Sequence, residues 1–297
     1  MDNSQDYFQR FMRNIGIISE EEQRKLINTT VGIAGLGGLG GQTFINLVRT
    51  GIGKFIIADL DLFEKPNTNR QIGANENSYG KPKVLIMKEM AKGINPAVEI
   101  IEFNSGIQAE NVSEFVNYCD VIVDSLDFFC LSARRLLYNT CTTQKKTVIL
   151  SAPLGYSATL HSFTPTSMSS DDFFNWKPGM DKFDQMIHFA LGIAPSGLHL
   201  KYLNFDKKNL ASSGTGPSIS FSCGLGASLV AAEVLFYILK KRSLFEAPFY
   251  TQFDLFLGTY RRAKLRFGNR GFLQRLKIFL AKKHYADVRT QITMHIK

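Results

Sequence analysis

The stretch VGIAGLGGLGGQTF, residues 31 to 44, decides the fold. A short apolar run from Val31 to Ala34 leads into Gly35, Gly37, Gly38 and Gly40, and the QTFINLVRTG that follows puts Phe44, Leu47 and Val48 on one helical face. The order is strand, glycine turn, helix. In such a turn the first glycine permits the tight bend and the second lets the backbone approach a phosphate. The unpaired N–H groups and positive dipole end of the helix then face the anion. The spacing predicts a phosphate-bearing ligand and by itself leaves open whether that ligand is a dinucleotide or ATP.

Downstream, KFIIAD (residues 54 to 59) ends in Asp59 and reads as a second buried strand, with Gly51 and Gly53 as breakers before it. KPKVLIMKEMAKGINP reads as a helix starting near Pro82 and stopped by Gly93 and Pro96. VEIIEF, VIVDS and TVILS supply three further strands, with helical stretches near residues 109 to 118 and 129 to 144 between them. This alternation predicts the α/β class: a Rossmann-like, doubly wound, mostly parallel sheet with helices on both faces.

From SATLHSF onward the pattern changes. Residues 165 to 216 hold Pro165, Pro178 and Pro195 among Gly and Ser, and read as a long irregular crossing segment. Its Phe173, Phe174 and Trp176 either line a lid or pack in the core. GPSISFSCGLGASLVAAEVLFYILKK reads as a long apolar helix entered by Pro217 and opening a C-terminal helical and strand extension. The expected organisation is an N-terminal helical arm (1–30), a nucleotide-binding domain (31–164), the crossing segment (165–216) and a C-terminal part with a basic tail (217–297).

With 297 residues and 44% apolar content the chain can bury one large core or two smaller ones. It contains no run of eighteen uncharged apolar residues and no secretory layout in MDNSQDYFQRFMRN, so a soluble, cytoplasmic protein is expected. Cys119, Cys130, Cys141 and Cys223 are scattered, and no two form C-x-x-C, which argues against a disulfide framework and a structural zinc. The net charge of +9 is uneven. Residues 261 to 297 hold eleven Lys or Arg against the single acid Asp287, leaving 24 basic and 25 acidic residues before them.

The residues around the glycine turn discriminate between ligands. Asp59 lies 19 residues after Gly40, at a strand end where an acid binds both hydroxyls of a ribose. Asp61 follows, and NTNRQ (Asn67 to Gln71) offers Arg70 as a fork for closely spaced phosphate charges. Lys83 lies one turn into the next helix and can reach back over the same strand ends. In DVIVDSLD, Asp124 ends a strand and Asp127 sits just beyond, placed either to hold Mg²⁺ bridging phosphates or to cap the helix that follows. A glycine cradle, a ribose acid, two cations and a metal-holding acid suit displacement at a phosphate. They favour ATP over the hydride chemistry of an NAD-dependent oxidoreductase, which would leave Arg70, Lys83 and Asp127 dispensable.

The order GLGGLG, DLD, NTNRQ, GKPKV, INP and DSLD resembles the ThiF/MoeB/HesA family, bacterial relatives of ubiquitin-activating enzymes, closely over residues 7 to 165. The resemblance implies adenylation: a substrate's C-terminal carboxylate attacks the α-phosphate of Mg·ATP to give an acyl-adenylate and pyrophosphate. The family's ribose position matches Asp59, its triphosphate-contacting positions match Asn67, Arg70 and Lys83, and its essential acid matches Asp127, with Mg²⁺ as its metal. An N-terminal arginine that crosses to a partner subunit's ATP matches Arg13, with Arg10 beside it, and implies a homodimer. The family's zinc cysteines are missing, so a zinc-free member is implied. The crossing segment has no cysteine to accept an acyl group, and Cys223 reads as buried packing.

In the tail, Phe272, Leu273, Leu276, Phe279 and Leu280 share one helical face, read first as the face that docks the helix on the body. Its charge otherwise suits an acidic protein or peptide, RNA, or an anionic membrane, the last ranked lowest because Lys283 interrupts the apolar face. The resulting expectation is an ATP-dependent adenylyltransferase acting on a small protein or peptide. The alternatives are a tRNA-modifying, dehydratase-like member and a catalytically silent binder.

Overall fold

A computed structural model describes residues 3–203 and 206–297; residues 1 and 2 of the N-terminal arm and 204 and 205 of the crossing segment lie outside them. Helices α1 (Asn3–Phe11) and α2 (Glu20–Ile27) precede the first strand. Helix α2 starts at a reciprocal cap, in which Ser19 accepts from the Glu22 N–H and Glu22 from the Ser19 N–H. Strand β1 (Thr30–Ala34) runs into α3 (Gly38–Thr50), then β2 (Lys54–Ala58), α4 (Lys83–Ile94), β3 (Glu99–Phe103), α5 (Val112–Asn117), β4 (Val121–Asp124), α6 (Leu131–Thr143) and β5 (Thr147–Leu150). These five strands are parallel in the order β3-β2-β1-β4-β5, so the winding reverses between β1 and β4.

Alternate side chains of each strand enter opposite cores. Val31, Ile33, Phe55, Ile57, Val121 and Val123 pack with α3 and α4 on one face, and Ile56, Ile122, Val148 and Leu150 with α5 and α6 on the other. Gly32 of β1 has no room for a side chain, because a Cβ there would lie 2.6 Å from Cys119 Sγ.

Strands β6 (Pro153–Leu154), β7 (Ser157–Phe163), β8 (Phe249–Asp254) and β9 (Thr259–Lys264) continue the sheet in antiparallel fashion beyond β5. The crossing segment is helical where its prolines and glycines predict irregular chain. It forms α7 (Ser170–Phe174), α8 (Lys182–Ile193) and α9 (Lys207–Ser213). The side chains of Ser169, Asp181 and Asp206 accept from the first N–H groups of these helices, caps that outweigh the flanking breakers. Phe173, Phe174 and Trp176 are buried in the core and line no lid.

Helix α10 (Ser220–Ile238) is long and apolar enough to cross a membrane, and here it lies against α3 with Val230 and Val234 fully buried. The last helices are α11 (Phe272–His284) and α12 (Arg289–His295). Helix α11 corrects the expectation for the tail. It docks through Gln274 and Ile278, and Phe272, Leu273, Leu276, Phe279 and Leu280 all face solvent.

Candidate active site

The glycine turn and the loop after β4 meet at the C-terminal edge of the sheet where the winding reverses, the crevice in which open α/β sheets hold ligands. Gly35 has φ +94°, and a Cβ there or on Gly40 would run into the backbone or side chain of Ser125. Ser125 Oγ donates to the carbonyls of Ala34 (3.0 Å) and Gly35 (2.7 Å), fastening the β4 loop to the turn. Gly38 is held close to Cys223, where a Cβ would lie 2.8 Å from Sγ. A Cβ on Gly37, which caps α3, would meet nothing nearer than Gln71 Nε2 at 3.8 Å. The crowded glycines thus shape the turn, and Gly37 borders open space at the helix N-terminus, where an anion is favoured.

Asp59 at the end of β2 is oriented by its neighbours. Its Oδ2 accepts from Leu36 N at 2.6 Å and its Oδ1 from Asp61 N at 2.8 Å. Burial raises its carboxyl above the ordinary value, against the opposing pull of Lys83. Lys83 opens α4 and is only 5% exposed, so its ammonium is buried at the unfavourable, positive end of a helix dipole. Asp61 Oδ2 accepts from it at 2.9 Å, the one hydrogen bond of this ammonium among the described residues. Two further donors remain for an incoming anion.

Arg70 is half-buried beside Gly38, and its Nη1 donates to Pro66 O (3.2 Å) and Asn69 Oδ1 (3.0 Å). Asn67 is drawn into its own turn, where Oδ1 accepts from Glu64 N at 3.0 Å. Its neighbour Asn69, which carried no signal, ties this loop to the chain before α10 by donating to Ser218 O at 2.9 Å.

Asp127 is exposed at the mouth of the crevice. Its Oδ1 accepts from Phe129 N at 2.9 Å, and Cys130, not Asp127, is the N-cap of α6. Among the described residues no three His, Cys, Asp or Glu side chains converge on one point. A divalent cation here would therefore rest on the Asp127 carboxylate and take its other ligands from phosphate and water, a donor set that suits Mg²⁺. Behind this loop lies a residue the sequence reading missed. Arg134, from α6, donates from Nε to Asp124 Oδ2 (2.8 Å) and from Nη2 to Leu126 O (2.6 Å), with its guanidinium over the Phe189 ring.

The structure does not bring Arg13 to this site. The turn Met12–Asn14 packs at the opposite end of α3, where Asn14 Nδ2 donates to Thr50 O, and a helix of this length spans about 20 Å. Arg10 is engaged with Asp6 and Ile94 O. The thiols offer no ready nucleophile: burial raises Cys119 to about 12 and also raises Cys130, Cys141 and Cys223. An open groove of about 950 Å³ at the far edge of the sheet, between Thr29, Thr147 and Arg242, contains none of these residues.

A model of the ThiF family matches residues 9–271. The tRNA threonylcarbamoyladenosine dehydratase of Bacillus subtilis is 34% identical over 122 residues, 41% of this chain and 48% of that one. A probable molybdopterin-synthase adenylyltransferase of Porphyra purpurea is 32% identical over 146 residues, 49% of this chain and 38% of its own. Escherichia coli MccB, solved with AMPCPP and MccA, shares the fold with a TM-score of 0.65 over 86% of this chain and 71% of that one, at 20% identity. The chain spans about half the length of the curated relatives it matches.

Proposed function

The chain belongs to the ThiF family, and on that premise we propose that it is a cytoplasmic, ATP-dependent adenylyltransferase. Its substrate is a carboxylate, the C-terminus of a small protein or peptide. One observation supports this reading: the open approach at Gly37, the Asp59 carboxylate, the buried Lys83 ammonium and the exposed Asp127 carboxylate all follow the C-terminal ends of β1, β2 and β4, where the winding reverses.

In this reading the helix α3 N-terminus receives phosphate, Asp59 accepts from the ribose hydroxyls, and Lys83 and Arg70 neutralise the triphosphate. A substrate carboxylate oxygen bonds to the α-phosphorus and the bond from that phosphorus to the β-phosphate oxygen breaks, giving acyl-adenylate and pyrophosphate. Mg²⁺, when bound, would supply charge neutralisation at the phosphates, and Asp127 would hold it. Arg13, which is outside this chain's own crevice, would reach the partner subunit's ATP in a homodimer.

The peptide reading draws on the MccB structure that contains MccA and AMPCPP. A second reading, modification of a tRNA nucleoside, draws on the Bacillus subtilis relative and on the eleven cations after residue 260. Pyrophosphate–ATP exchange separates them. Exchange driven by a small-protein fraction supports the first, exchange driven by purified tRNA supports the second, and exchange with neither leaves a silent binding member.

A further inference from the structure

Helix α11 is held in one rotation by polar anchors. Gln274 Nε2 donates to Leu191 O (3.1 Å) and Asn269 Oδ1 (2.9 Å), Lys277 Nζ to Pro195 O (2.8 Å), and Lys282 Nζ to Asp184 Oδ2 (2.6 Å), with Ile278 between them. This rotation turns the apolar side into water, with Phe272 81%, Leu273 69% and Phe279 63% exposed. Phe267 just before the helix is exposed as well. A contiguous outward row of this kind marks an interaction surface.

The charge around the row selects what covers it. Arg275 and Lys283 lie on the outward side, with no ion pair among the described residues, and Arg261 of β9 lies close enough to Lys277 to repel it. The single acid of this stretch, Asp287, is bound to Lys207. A second copy of the chain would set these cations against themselves across a two-fold axis. A nucleic acid would be drawn to the cations and would find nothing to pair with three leucines. Hydrocarbon beneath anionic headgroups matches both halves of the surface.

We infer that the outward face of α11 docks the protein on an anionic lipid bilayer surface, with Phe272, Leu276, Phe279 and Leu280 in the acyl boundary and Arg275 among the headgroup phosphates. Lys283 belongs to the last turn, where its stem can lie along hydrocarbon while its ammonium reaches the headgroups. The interruption read in the sequence is thus the end of the apolar row.

The test is co-sedimentation of the full chain with phosphatidylglycerol–phosphatidylcholine vesicles and with phosphatidylcholine vesicles. The expected result is partition onto the mixed vesicles alone, weakened by salt, and lowered about tenfold or more both by Phe272→Ser with Leu276→Ser and by Arg275→Glu with Lys283→Glu. These positions are exposed, so the variants keep the fold. The inference is overturned if the mixed vesicles leave the protein in solution or if the serine pair keeps full partition. It is equally overturned if sedimentation velocity shows self-association that the serine pair abolishes, which would assign the face to a second copy.

Discussion

Arg134 and Asp124 form an ion pair that water does not reach: Nε donates to Oδ2 at 2.8 Å, with side-chain exposures of 2% and 0%. The same guanidinium holds Leu126 O, so the end of β4 and the loop carrying Asp127 are braced from behind. Arg134→Met leaves the Asp124 carboxylate buried without its counter-charge, held by the Leu126 N–H at 3.1 Å, and such a loss costs about 3–5 kcal/mol. Urea unfolding should show it. Adding Asp124→Leu removes the orphaned charge and should recover much of that stability, while Asp127 loses its brace and turnover stays low.

Gly37 and Gly40 should separate ligand binding from folding. A methyl at Gly40 meets Gly35 O and Ser125, so Gly40→Ala should lower stability by about 1–3 kcal/mol. A Cβ on Gly37 would meet nothing nearer than 3.8 Å, so Gly37→Ala should cost only the poorer helix cap, about 0.5–1 kcal/mol, and bind ATP more weakly. Paired melting curves and titration calorimetry check both.

Lys83→Met should weaken ATP binding by about 10- to 150-fold, the loss of a charge-assisted hydrogen bond of about 1.5–3 kcal/mol. Asp61→Asn should weaken it less, because Asp61 orients the ammonium and is itself half-exposed. Equal calorimetric affinities for parent and Lys83→Met would remove Lys83 from the site.

His161 is fully buried, its Nε2 2.8 Å from Ile193 O, and burial lowers its pKa from 6.5 to about 4. Between those values the unfolded chain takes up a proton that the folded chain refuses, so stability falls as pH drops through this window. The limit is about 3 kcal/mol. His188 and His199 are shifted the same way. His161→Phe should flatten the fall in melting temperature between about pH 6.5 and pH 4, the range set by that shift.

The strand–turn–helix signal and the strand-end acids were legible because each is a local pattern: glycine spacing, a run of apolar residues, an acid at its end. Asp59, Lys83 and Asp127 accordingly follow the C-terminal ends of β2 and β4. Arg134 was not legible, since its partner lies ten residues back on another element and only folding brings them together. The rotation of α11 was misread for a similar reason. Periodicity identifies an apolar face, and hydrogen bonds from Gln274, Lys277 and Lys282 to distant loops decide which face turns inward. In the crossing segment, prolines and glycines masked three short helices whose caps, Ser169, Asp181 and Asp206, stood in plain view.

The most direct test of the adenylation reading is mass analysis after mixing the protein with Mg·ATP and a small-protein and peptide fraction of its host cells. The account predicts an AMP-linked species formed by the parent and absent with Asp127→Ala, while both proteins bind ATP. ATP binding without any AMP-linked species, or the same species at full yield from Asp127→Ala, would contradict it.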